Sequence, residues 1–328
     1  MFNQGVFKQF LGAGALLLAA GLPLTAHAQA YPSHPIQMIV PLSAGSAVDA
    51  IMRSVTQKMS ENLGQQIAIE NIPGASGIIG AQKLKAAAPD GYTIGGFNDG
   101  VMSILPGLKQ GLPYDPLKDF APVSLVAGID WVLVVNPSVP AKNLAEFIAM
   151  VKAKPGQINF SSGGNGSPQQ IAMELFKVAA DINLVHVPYR GATPAAMDVI
   201  GGQIPTMWTA VAVVSQQVKS GKLRALAVAG AKRSPLLPDV PTATEAGVKG
   251  YEFATWSPII VPAGTPKPII DRLNASVVKA LADQGLRDRL ISQGLVPMGT
   301  PPETVTQWTR EGIAKDAAIG KRANIKID

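Results

Sequence analysis

The chain has 328 residues, of which 47 % are hydrophobic and 15 % charged, and its net charge is +6. That length and apolar content allow two domains with sizeable cores and exclude a disordered chain. Zero cysteines exclude disulfides, thiolate metal sites and a cysteine nucleophile, and Lys and Arg are too scattered to form a basic stripe for nucleic acid.

The first residues read as a targeting segment. Lys8 precedes an apolar run over residues 10–20, and Ala26-His27-Ala28 fits a small-x-small pattern cut before Gln29. The run is shorter than the roughly 20 residues that span a bilayer. Residues 1–28 are therefore expected to be a signal peptide, and the mature chain to be soluble. Next, Ile36-Gln37-Met38-Ile39-Val40 reads as a buried strand. Ile51, Val55, Met59 and Leu63 recur every four residues and mark one helix face. Gln66-Ile67-Ala68-Ile69-Glu70 is a second strand, and Asn71-Ile72-Pro73-Gly74-Ala75-Ser76-Gly77 a turn. A helix ending near Ala88 and a strand at Tyr92-Thr93-Ile94 follow. This βαβαβ run implies a mainly parallel sheet covered by helices.

Residues 123–127 and 131–135 then read as extended segments crossing between two lobes. A second alternating set follows: helix 144–154, strand 158–160, helix 169–180, strand 184–187, helix 195–200, and strands 205–209 and 223–229. Residues 255–261 are extended, and 268–284 and 303–315 are amphipathic helices that can pack back onto the first lobe. The expected architecture is α/β: two lobes, each a mainly parallel sheet flanked by helices, joined by crossing strands around a cleft.

Three loops share one design, in which a strand runs through small residues into a helix start. They are Ser43-Ala44-Gly45-Ser46, Ser162-Gly163-Gly164 with Ser167, and Tyr189 through Thr193. Small residues allow close approach to the backbone, and free N–H groups at a helix start favour an anion. The second loop lacks a phosphate-loop Lys and no G-x-G-x-x-G is present, which favours a carboxylate over a nucleotide. Ser46 and Ser167 are also natural N-caps. Gln170, in a first helical turn, can donate to a ligand oxygen. Asn98 and Asp99 follow the third strand, at the end of an α/β sheet where ligands bind. Asp99 there either takes an ammonium group or braces the loop. Asp49 and Arg53 are spaced for an i,i+4 ion pair. Arg190 reads either as a carboxylate clamp or as a surface charge. Trp208 is a candidate pocket wall.

Several runs resemble the Bug receptors, the substrate-binding proteins of tripartite tricarboxylate transporters. They are Tyr31-Pro32-Ser33-His34-Pro35-Ile36, Ile39-Val40-Pro41 with Ala44-Gly45 and Asp49, Glu70-Asn71-Ile72-Pro73-Gly74-Ala75-Ser76-Gly77 and Pro89-Asp90-Gly91-Tyr92-Thr93. Others are Val187-Pro188-Tyr189-Arg190-Gly191, Gly221-Lys222-Leu223-Arg224-Ala225-Leu226-Ala227 and Pro262-Ala263-Gly264-Thr265-Pro266. The resemblance runs from about Tyr31 to the C-terminus. It implies a periplasmic two-lobed "Venus flytrap" that holds a carboxylated metabolite between its lobes, partly through ordered waters. It also implies an inner-membrane permease or a sensor protein as partner. By this analogy residues 29–130 and 251–328 form one discontinuous lobe and 131–250 the other. Leu42, Ser46 and Gln170 depart from the family pattern, as does Pro205-Thr206-Met207-Trp208-Thr209, where an Asp is common. Trp208 and the absence of that Asp point to an uncharged or aromatic distal group on the ligand.

The enzyme alternative has little support. His34 and His186 lack a nearby nucleophile or metal-ligand spacing, and Gly74-Ala75-Ser76-Gly77 falls one residue short of a nucleophile elbow. The expectation is a monomeric receptor with no cofactor and no metal, capturing a small organic carboxylate for transport. A sensor subunit and a hydrolase using the same cleft are the alternatives.

Overall fold

The computed structural model describes residues 31–322 and Ile325. The signal-peptide reading and the cut before Gln29 lie outside these residues. In chain order the elements are β1 (Ile36–Val40), α1 (Ala47–Leu63), β2 (Ile67–Asn71), α2 (Ile78–Lys85) and β3 (Thr93–Gly96). A π-type turn, Gly100–Ile104, runs into α3 (Leu105–Leu108), followed by β4 (Phe120–Ile129) and β5 (Trp131–Val135). Then come α4 (Leu144–Ala153), β6 (Asn159–Ser162), α5 (Pro168–Ala180), β7 (Val185–Pro188), α6 (Ala192–Ile200), β8 (Thr206–Ala210), α7 (Val211–Lys219) and β9 (Arg224–Val228). The chain closes with β10 (Thr255–Pro262), α8 (Lys267–Ala282), α9 (Gln284–Ile291), β11 (Leu295–Pro297) and α10 (Pro302–Arg322).

Two sheets organise these elements. One has six strands in the order β11-β4-β10-β3-β1-β2, the other five in the order β7-β6-β8-β5-β9. Both are mixed, which corrects the expectation of mainly parallel sheets. β1 pairs in parallel with β2 and β3, but β10 runs antiparallel to β3 and β4. In the second sheet β6 pairs in parallel with β7 and β8, while β5 is antiparallel to β8 and β9. The strands at the crossings, β4, β5 and β10, are antiparallel to their neighbours, and β11 adds a further antiparallel pair with β4 at the edge of the first sheet. Asp130 alone separates β4 of the first sheet from β5 of the second. The Trp131 indole donates to Thr255 Oγ1 at 2.8 Å, tying the outgoing strand to the returning one.

The apolar pattern explains the layers. Ile51, Val55, Met59 and Leu63 are all buried, as their spacing requires, and bury α1 against its sheet. β5 is buried at every position, as expected for a strand covered on both faces. Two elements differ from the sequence reading. The 268–284 run breaks at Asp283, whose side chain caps α9 by accepting from Leu286 N. Residues 211–219 form α7 although they are rich in Val, a weak helix former, because Val211 and Val214 are fully buried in the second lobe's core.

Candidate functional site

The helix starts predicted from the small-residue loops meet between the two sheets. Ser46 caps α1 by accepting from Asp49 N, and Ser167 caps α5 by accepting from Gln170 N. Gly191, at φ 141°, opens α6. The first N–H groups of a helix have no intrahelical partner. Those of Ala47 and Val48 in α1, Gln169 in α5 and Ala192 in α6 belong to residues lining one inner cavity of about 50 Å³. Trp131 and Thr255 from the crossing strands and Val213 from the first turn of α7 complete its wall. No charged side chain lines it. Three helices of eight residues or more thus direct the positive ends of their dipoles at one neutral, partly apolar space.

An outer cavity of about 420 Å³ shares Leu42, Ser76, Gly163 and Gly191 with the inner one and forms its mouth. Lys109, just after α3, and Arg190, just before α6, both line it. Neither has an ion-pair partner among the described residues.

The rim is drawn together by direct bonds between the lobes. Thr193 Oγ1 donates to Ala44 O at 2.9 Å and lies 3.4 Å from Ser43 Oγ. Ser76 Oγ donates to Asn165 O at 2.6 Å. Ser76 is held at φ 55°, a left-handed conformation uncommon for serine. Glycines make the approach possible: a Cβ at Gly164 would lie 2.8 Å from Ser76 Oγ, and one at Gly191 2.7 Å from Ser43 Oγ.

The first loop is braced from below by Asp49, which accepts from Gly45 N at 2.9 Å, Asn71 Nδ2 at 2.9 Å and Arg53 Nε at 3.0 Å. Burial pushes its pKa up, but these donors outweigh burial and hold it below the ordinary carboxylate value. The expected Asp49–Arg53 pair is therefore present as a brace.

The predicted site residues separate into groups. Ser43, Ser46, Asn98, Gly163, Gly164, Ser167 and Tyr189 line the two cleft cavities, with Ala44, Gly45 and Thr193 at the bonded rim. Ser162 turns its hydroxyl inward, accepting from Gly164 N at 3.1 Å and meeting the His186 imidazole. Gln170 Oε1 accepts from Gly166 N at 2.7 Å, so it shapes its own loop while its neighbour Gln169 lines the cavity. The Tyr189 hydroxyl donates to Asp198 within the second lobe. Asp99 points away from Asn98 into a separate cavity. Trp208 is a correction: it is fully buried in the core against Phe176 and Tyr251 and lines neither cleft cavity. The sequence reading did not place Ser76, Gln169, Val213 or Lys109 at the site. The small-residue run around Ser76 carried the same loop signal as the others, but Lys109 gave none.

Residues 51–325 match the family described as the tripartite tricarboxylate transporter family receptor. The protein BugT of Bordetella pertussis is 31 % identical over 315 residues, covering 96 % of this chain and 97 % of BugT. The solved periplasmic binding protein BugD is 33 % identical with a TM-score of 0.87, over 90 % of this chain and 99 % of that one. Rpa4515 of R. palustris, solved with adipate, is 30 % identical with a TM-score of 0.88, over 90 % and 99 % of the two chains. MatC of Rhodopseudomonas palustris, solved with bound malate, is 32 % identical with a TM-score of 0.84, over 88 % and 99 %. With a two-lobed fold, a cleft built on helix N-termini and a family match across most of its length, the chain belongs to the receptor family of the tripartite tricarboxylate transporters.

Proposed function

We propose that the protein is a periplasmic receptor that captures a small organic dicarboxylate between its lobes and presents it to an inner-membrane permease. The observation that carries this reading is the convergence of α1, α5 and α6 on a cavity with no charged side chain. Preorganised N–H groups hold one carboxylate there without a bulky cation. Lys109 and Arg190, unpaired at the mouth, favour a second negative group at the ligand's outer end. This replaces the uncharged or aromatic distal group expected from the sequence. The adipate- and malate-bound relatives carry ligands of the same class. In this reading residues 29–130 and 251–328 form one lobe and 131–250 the other, and closure of the two creates the surface a permease reads. The protein works as a monomer and performs no chemistry on its ligand.

Calorimetry with adipate, malate and the uncharged diamide of adipate tests the proposal. At least one dicarboxylate should bind while the diamide does not, and its binding should lower the radius of gyration relative to the free protein. Equal binding of the diamide, or no binding of any carboxylate in a wider library, overturns it.

A further inference from the structure

A third cavity, of about 370 Å³, shares no lining residue with the cleft. Its walls come from both lobes and the return crossing. Asp99 and Ser103 stand on the π-type turn, Leu175 on α5, Phe253 and Trp256 at the start of the return strand, and Trp308, Lys315 and Asp316 on α10. Asp99 is 5 % exposed and Asp316 8 % exposed. Ser103 Oγ lies between them, 2.9 Å from Asp316 Oδ2 and 3.2 Å from the Asp99 carbonyl. A Cβ at Gly312 would fall 2.7 Å from Ser103 Cβ, so glycine is what lets α10 bring Asp316 this close to the turn.

Asp99 Oδ1 is buried without any hydrogen-bond partner. A buried carboxylate oxygen without a donor is costly, and a second carboxylate beside it adds repulsion. Burial, then Asp316, push the Asp99 pKa well up. Aromatic residues line the same cavity: the Trp256 and Trp308 rings stand 6.1 Å apart at 80°, edge to face. Two buried aspartates, with Glu311 also lining the cavity, and two indole rings in one space suit a cation that carries both N–H donors and an apolar body. A metal ion fits less well, since no group of three or more His, Cys, Asp or Glu is placed to hold one among the described residues.

We propose that this cavity binds a small organic ammonium ion, whose N–H groups are taken by Asp99 and Asp316 and whose apolar body lies against Trp256 and Trp308. Lys315 lines the same cavity and its charge opposes the upward pKa shifts of both aspartates, but it is exposed and makes no ion pair within 4.0 Å among the described residues. The site stands independently of what the cleft holds.

The test is a titration of the full chain with benzylammonium chloride, followed by calorimetry and tryptophan emission, with benzyl alcohol as the neutral control. Saturable binding with a change in emission is expected, with weaker binding of the alcohol. Asp99→Asn and Asp316→Asn, each checked by melting, should weaken benzylammonium roughly tenfold or more. Lys315→Ala should bind as well or better, because it removes a competing cation. Absence of saturable binding is the result expected if the two carboxyl groups only share a proton, and it overturns the proposal. So does equal affinity for the alcohol, undiminished affinity in both Asn variants, or loss of binding in Lys315→Ala.

Discussion

The Thr193 hydroxyl donates to the Ala44 carbonyl at 2.9 Å, joining the start of α6 in one lobe to the β1–α1 loop of the other. The two residues are 149 positions apart and share no element, so the bond exists only when the lobes are together. Thr193→Val keeps the shape and removes the donor. It should weaken ligand binding by about 0.5–1.5 kcal/mol and leave the melting temperature of the ligand-free protein nearly unchanged. Calorimetry and melting on the same preparation check this.

Gly191 is the close-approach point of the rim. A Cβ there would sit 2.7 Å from Ser43 Oγ and 2.9 Å from Ser43 Cβ. Gly191→Ala should hold the lobes apart, lower affinity about tenfold or more, and remove any ligand-induced compaction seen by X-ray scattering. Adding Ser43→Gly should recover part of the affinity, because it removes the atoms that clash.

Ser46 and Ser167 each satisfy a helix-start N–H, at 3.3 Å and 3.5 Å respectively. Each also lines the inner cavity. Replacing either with Ala should cost about 1 kcal/mol of stability in urea denaturation. Since an accepting hydroxyl still has its proton to give, Ser167→Ala should also weaken carboxylate binding by a similar order, about 1 kcal/mol. A loss in stability alone shows that the hydroxyl does not reach the ligand.

Burial, then repulsion from Lys177, hold the His186 imidazole at a pKa of about 4, below its ordinary 6.5. The unfolded chain takes up this proton near 6.5, whereas the folded chain resists until about 4. Stability contributed by the neutral ring is therefore full above 6.5 and falls as pH drops toward 4. Urea midpoints followed over that window should fall more steeply for the wild type than for His186→Gln.

Asp99 has the opposite sense. Its folded pKa is raised by burial and by Asp316, so its contribution is most favourable below the unfolded carboxylate value and is lost as pH rises. Asp99→Asn should raise the melting temperature at neutral pH, and the gain should vanish as pH falls into the carboxylate range. Ammonium binding would be weakened in the same variant, a trade of function for stability.

The sequence by itself determined the local elements. Four-residue periodicity placed α1, apolar runs placed β1 and β5, and small-residue loops placed the helix starts that line the cleft, because each signal depends on neighbours within a few residues. It could not show which of those loops meet. Thr193 faces Ala44, and Asp99 leaves the cleft that its neighbour Asn98 enters, only because the chain crosses between two sheets at Asp130 and returns at Thr255. The same holds for Trp208, which composition could place in a pocket and packing placed in the core. The mixed sheets and the helicity of the Val-rich α7 were likewise settled by tertiary contacts, which outweigh local propensity where burial is complete.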